Sequence, residues 1–192
     1  MGAIFQSLGR TVAAGVVLLV LLVLVAGNVH FDQEWGKFFM RWLHVVSGVM
    51  WIGLLWYFNF VQIPSMPKIP DEQKPAISKV IAPTALFWFR YGALSTVVTG
   101  LLLAWMNGYI VAALGVQAPL RGIGIGMWLA LVMAFNVWFI IWPNQKKALG
   151  IVTVPPEQKA AAGRLAMLTS RANTMLSIPM LYCMVVQQNG GL

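Results

Sequence analysis

The sequence predicts an all-α integral membrane protein of five transmembrane helices, a four-helix core of two related hairpins with one N-terminal helix added. Three observations carry this prediction. Only 9% of the 192 residues are charged and 59% are hydrophobic, against roughly 25% charged in soluble proteins. That is too few charges to coat a water-facing surface, and the mean hydropathy of +0.77 agrees. Apolar runs near the ~20 residues a helix needs to cross the hydrocarbon core recur five times. Between those runs lie the short segments that hold most of the charges and prolines.

The first span covers about 11–27, with no charge between Arg10 and Asp32. Its length favours a retained helix over a cleaved signal peptide, although Ala26 and Gly27 are small enough for cleavage. A polar link from Asn28 to Lys37 follows, then a second span at about 38–62. Pro64, Pro67, Pro70 and Pro75 punctuate the next connection. The third span is about 84–106, and residues 107–121 form a weakly apolar link, expected at the surface or as a re-entrant turn. The fourth span, about 122–143, stops at Trp142-Pro143-Asn144, and the fifth is about 165–187 before a polar tail. In lipid each span must satisfy its own backbone groups, so helices are expected throughout.

Charge bias sets an expected orientation. With the N-terminus inside, one side holds Arg10, Lys68, Lys74, Lys79, Lys146, Lys147, Lys159 and Arg164; the other holds Lys37, Arg41 and Arg121. The expectation is a bacterial inner-membrane protein, N-terminus cytoplasmic and C-terminus periplasmic. The net charge of +8 does not point to nucleic acid, because the cations are neither clustered on one helix face nor interleaved with aromatics. Cys183, the single cysteine, sits in an apolar run and reads as a small core residue.

A weak internal repeat supports the two hairpins. Ile69-Pro70-Asp71-Glu72-Gln73-Lys74 resembles Val154-Pro155-Pro156-Glu157-Gln158-Lys159. Phe58-Asn59 and Phe135-Asn136 lie upstream of these, and Arg90 and Arg171 lie downstream.

His44 is the first candidate site residue. Helical spacing puts His44, Gly48, Trp51, Leu55, Asn59 and Gln62 on one stripe, more polar than the rest of the helix, which should face the bundle interior. An ionisable group within a membrane helix is a functional candidate by default. Neutral imidazole is a common haem ligand, with Gly48 leaving room for a flat macrocycle. The plainer reading is a histidine bonded to a neighbouring helix. His30 falls in the outer link, so a second ligand from this chain would come from that link or from one of eleven methionines. Arg90 and Arg171 suit an anion or haem propionates, or else snorkel to headgroups. Asn59, Asn136, Asn144, Gln145 and Asn173 are expected around an inner polar cavity. The nine tryptophans mostly mark span ends. Every acid lies in a loop, which argues against proton coupling through membrane carboxylates.

At these residues a family resemblance emerges. Trp42-Leu43-His44-Val45, Trp51-Ile52-Gly53 and Tyr57-Phe58-Asn59-Phe60 resemble the membrane domain of bacterial urate hydroxylases, the urate oxidase N-terminal domain family. Asn136-Val137-Trp138-Phe139-Ile140-Ile141-Trp142-Pro143-Asn144-Gln145-Lys146 is similar to its most distinctive stretch, and Ser170–Thr174 with Ser177–Leu181 to its last motif. The histidine-containing segment is also similar to copper-resistance D and haem-linked protoporphyrinogen oxidase-like bundles. The resemblance implies redox chemistry linked to urate oxidation, with electrons passed to a cytochrome c-type acceptor. No haem-attachment motif of Cys-x-x-Cys-His form occurs here, so that acceptor is expected to be separate. Where the family's final motif carries a histidine this chain has Arg171-Ala172-Asn173, so His44 is the residue that carries over best as a haem b ligand. Within the haem reading, a homo-oligomer would bring two copies of His44 together as ligands. The rival expectation is a non-catalytic accessory subunit packed in a larger membrane complex. A small-solute transporter is a third.

Overall fold

The computed structural model describes residues 2–27 and 30–189; link residues 28–29 and tail residues 190–192, both read from sequence above, lie outside it. The described residues are helical with no strand. After a single turn at Gly2–Phe5 come α1 (Leu8–Ala26), α2 (Gln33–Lys68), α3 (Lys74–Met106), α4 (Arg121–Ala148) and α5 (Pro156–Asn189). Among the described residues four helices are long and apolar enough to cross a membrane: Leu8–Val25 and the runs of α2, α3 and α4. The 34-residue α5 is long enough but less apolar, so the expected fifth span rests on length alone. The cause is compositional. Ala162, Ala166, Ser170, Asn173 and Ser177, its buried stripe, are small or polar.

The chain forms two compact units, Met1–Phe39 and Met40–Leu192. In the first, α1 exposes its whole apolar stretch. Asp32 accepts a hydrogen bond from the Trp35 N–H at 2.9 Å and caps the start of α2, where Trp35 stacks on Phe39.

The second unit has the expected four-helix core. Trp51, Ile52, Leu55 and Phe58 from α2 meet Leu86, Phe89 and Ala93 from α3, Ala130, Met133, Val137 and Ile141 from α4, and Met180 from α5. The 107–121 link is no simple loop. It contains the short helix Ile110–Leu114, whose Ala113 is fully buried against Ala104 and Met127, and the Trp128 indole donates to the Leu114 carbonyl.

Glycines set the close approaches. Gly122, Gly124 and Gly126 are all buried in α4. Positions two apart in a helix point in nearly opposite directions. A Cβ on Gly126 would stand 2.9 Å from Cys183 Cβ of α5, whereas one on Gly124 would overlap the Ala113 carbonyl oxygen. This stretch of α4 is thus clamped between two neighbours.

Three helices contain π-helical turns: Tyr57–Gln62, Ile77–Ile81 and Asn136–Ile141. Each is followed two residues later by a proline, Pro64, Pro83 or Pro143. Proline has no N–H, and its ring presses on the carbonyl four residues earlier. A wider turn relieves that pressure and keeps the helix continuous. Two of these turns contain or adjoin the repeated Phe-Asn pairs. In the repeated loop motif the Lys74 N–H donates to the Pro70 carbonyl at 3.3 Å, and the Lys159 N–H to the Pro155 carbonyl at 3.0 Å. The two hairpins therefore share local geometry as well as residues.

Candidate functional site

α2 and α3 run antiparallel along a seam of small residues. Gly92, Thr96 and Gly100 are spaced by four on α3 and form one face. A Cβ on Gly92 would press on the Trp51 backbone at 3.2 Å; Gly48 lies opposite Thr96; a Cβ on Gly100 would reach His44 Cε1 at 2.8 Å. Small residues let membrane helices approach closely, and here they make room for two large rings on α2.

His44 is fixed by this seam. Its Nδ1 lies 2.9 Å from the Thr96 carbonyl oxygen, with the Thr99 hydroxyl at 3.4 Å. A carbonyl only accepts, so Nδ1 carries a proton, and in the neutral imidazole Nε2 then keeps its lone pair. That is the tautomer in which a backbone carbonyl orients a metal-binding imidazole. Thr96 itself donates its hydroxyl to the Gly92 carbonyl at 2.7 Å.

His44 borders a cavity of about 640 Å³ between α2, α3, α4 and α5, well inside the size range of small-molecule and cofactor sites. Gly48 and Trp51 line it together with His44. Leu101, Met127, Met180 and Met184 supply much of the rest of its apolar wall. Trp51 is fully buried and its indole N–H has no partner in the protein, leaving an unused donor on a residue of the cavity wall. Arg41, Tyr109 and Asn189 are the polar residues at the end of the cavity nearest the α3–α4 link. Burial pushes the Tyr109 phenol above its ordinary value, an effect the Arg41 guanidinium partly offsets, so the hydroxyl stays protonated.

The two expected arginines are not part of this cavity. Arg90 lies flat on Trp142, 3.3 Å from the ring, and Arg171 is exposed on the outer side of α5. Of the five expected polar residues, three gather in a hydrogen-bonded seam along α5. Asn59 Nδ2 donates to Ser170 Oγ at 2.8 Å, Asn136 Nδ2 to Asn173 Oδ1 at 2.8 Å, and Asn173 Nδ2 to the Met133 carbonyl at 2.9 Å. Trp56 adds its indole N–H to Ser177. Asn144 instead donates to the Ile140 carbonyl of its own helix, and Gln145 is half-buried beside it. None of the five lines the cavity.

Thr96, Gly100 and Tyr109 were not singled out by sequence reasoning. The signal for two of them was present in the Gly-x-x-x-Thr-x-x-x-Gly spacing of α3. Gly100→Ala is expected to push the imidazole off the Thr96 carbonyl without removing it. An NMR titration of His44 in detergent micelles would show this as loss of its fixed tautomer, whereas an unchanged imidazole signal would refute the contact.

Geometry and composition together define a helical membrane protein with a partly open, histidine-bordered cavity of cofactor size. Residues 117–190 match the model of the urate oxidase N-terminal family, which supports the resemblance carried by the Asn136–Lys146 and Ser170–Leu181 segments. The match covers the α4 and α5 walls of the cavity and most of the polar seam; His44 lies before it. No curated protein and no solved structure matches the chain.

Proposed function

We propose that this urate-oxidase-like membrane protein holds a b-type haem through His44 Nε2 and serves electron transfer to a separate acceptor. The observation that carries this reading is the Nδ1–Thr96 carbonyl bond on a histidine that borders an apolar cavity of about 640 Å³. A single oriented imidazole with thioethers nearby is a haem donor set, not a chelating one. Among the described residues no three His, Cys, Asp or Glu side chains gather to hold a bare ion. Met127, Met180 and Met184 are the thioethers of the lining that could serve as a further ligand, and Arg41 would suit a propionate. Bound there, haem would supply one-electron transfer; Thr96 would keep the imidazole basic and aimed, and the apolar wall would exclude water. The same wall suits urate poorly, because urate carries N–H and C=O groups around its whole edge and each would be left unpaired.

With the N-terminus cytoplasmic in a bacterial inner membrane, His44 and Arg41 lie toward the periplasmic face. A cytochrome c-type acceptor would meet the protein there.

The test is the visible spectrum of the protein from haem-replete cells, oxidised and dithionite-reduced, beside His44→Ala. Reduced b-type bands that vanish in the variant are expected. A colourless, intact wild type would overturn the haem reading. Co-purification with larger membrane proteins would then favour the accessory-subunit reading.

A further inference from the structure

A second feature lies on the lipid-facing side of the α3–α4 pair. An apolar groove of about 400 Å³ runs between Leu94 and Val97 of α3 and Leu131, Ala134 and Trp138 of α4, with Phe135 and Phe139 stacked along its edge. One helical turn before Leu94 on α3 stands Arg90; one turn after Trp138 on α4 stands Trp142. The groove therefore ends at the Arg90 guanidinium, seated on Trp142 at 3.3 Å, with Lys146 Nζ 5.6 Å from the same ring on its own side.

Arg90 is poorly provided for. Its Nε and Nη1 are shielded and make no hydrogen bond, and no carboxylate pairs with it or with Lys146 among the described residues. The remaining edge of this half-exposed guanidinium is the part open to the outside. A guanidinium stacked on an aromatic face is held in one orientation, and with Nε and Nη1 shielded Arg90 offers its remaining nitrogen, Nη2, to a phosphate oxygen. Cations at the end of an apolar groove between membrane helices match an amphipathic anion with its charge at one end.

We propose that this groove binds an anionic phospholipid, one acyl chain lying between α3 and α4 and the phosphate meeting Arg90 and Lys146. Arg90 then belongs to a lipid site, separate from the His44 cavity, and the proposal stands whether or not haem binds. Lipid here would seal the α3–α4 gap and occupy the idle cation.

The experiment is native mass spectrometry of the full chain in mild detergent, titrated with phosphatidylglycerol or with phosphatidylcholine of the same chains. Phosphatidylglycerol should be retained about fivefold or more over phosphatidylcholine, the scale of one cation near a membrane surface. Arg90→Gln should abolish that preference, and Ala134→Phe, which fills the groove and keeps the cation, should reduce retention of both lipids. Arg171→Gln, on the outer side of α5, should change neither. Equal retention of the two lipids, or a preference untouched by Arg90→Gln, would overturn the proposal. Displacement of the lipid by millimolar inorganic phosphate would also overturn it, by showing a site for free anion. If Arg90→Gln does not fold, the Ala134→Phe titration decides: undiminished retention rules the groove out.

Discussion

Gly124→Ala is expected to destabilise the protein by about 3 kcal/mol or more, at the upper end of overpacking costs. The added methyl overlaps the Ala113 carbonyl oxygen and comes within 3.1 Å of its carbon. No rotamer change relieves a clash with backbone. The short helix Ile110–Leu114 must move away from α4, and Ala113, fully buried, loses its packing against Ala104 and Met127. Reversible unfolding by denaturant in mixed micelles would measure the loss. Gly163→Ala is the matched control, because its Cβ would make only an ordinary 3.6 Å contact with Ala148. That exchange should be neutral or should stabilise α5 by up to ~1 kcal/mol, the helix preference of Ala over Gly. If Gly124→Ala proves as stable as Gly163→Ala, the clamp on α4 is wrong.

The second large effect is expected at Asn173. Its side chain is fully buried, accepting from Asn136 and donating to the Met133 carbonyl. Asn173→Leu leaves the part-buried Asn136 amide without its partner. Unsatisfied buried polar groups cost about 1–3 kcal/mol each. Interhelical hydrogen bonds within membranes average nearer ~0.6 kcal/mol, because the unfolded state in lipid also finds partners. A loss of about 2 kcal/mol is expected for the single exchange, since two bonds break and one group is orphaned. Adding Asn136→Leu should recover part of it by removing the orphan. A double-mutant cycle in micelles measures that coupling, and strictly additive losses would show that the two asparagines do not act as a pair.

The four-helix core and the His44–Gly48–Trp51 wall were legible in the sequence because both follow from periodicity. Helical spacing alone places those three residues on one face of α2. The same spacing also predicted which way Arg171 points, had the stripe been drawn from Asn173. Ser170, Asn173 and Ser177 are buried at intervals of three and four, so the residue after Ser170 falls on the far side. The resting place of Arg90 was not legible for a different reason. Its neighbour Trp142 is on another helix, fifty-two positions away, and no local pattern announces a stacking partner at that range. The weak apolarity of α5 has part of the same origin as its importance: several of its contacts with α2 and α4 run through the hydroxyls and amides of Ser170, Asn173 and Ser177, which lower its hydropathy.

The proline-linked π turns give these helices a spare residue at defined points. An ordinary helix advances about 100° per residue, so an extra residue absorbed in one turn resets the rotational phase of everything beyond it. In α2, Trp51 and the rest of the cavity wall lie before the turn at Tyr57–Gln62 and Asn59 lies within it; in α4, Met127 lies before the turn and Trp142 with Lys146 after it. Each helix therefore works as two shorter rods on separate indexing, with proline as the detent between them. One end can change its partners by altering a residue count inside the turn while the other keeps its facing. Matching motifs of the two hairpins lie 77 residues apart at the Phe-Asn pairs and 85 apart in the loop, the kind of record such independent indexing would leave.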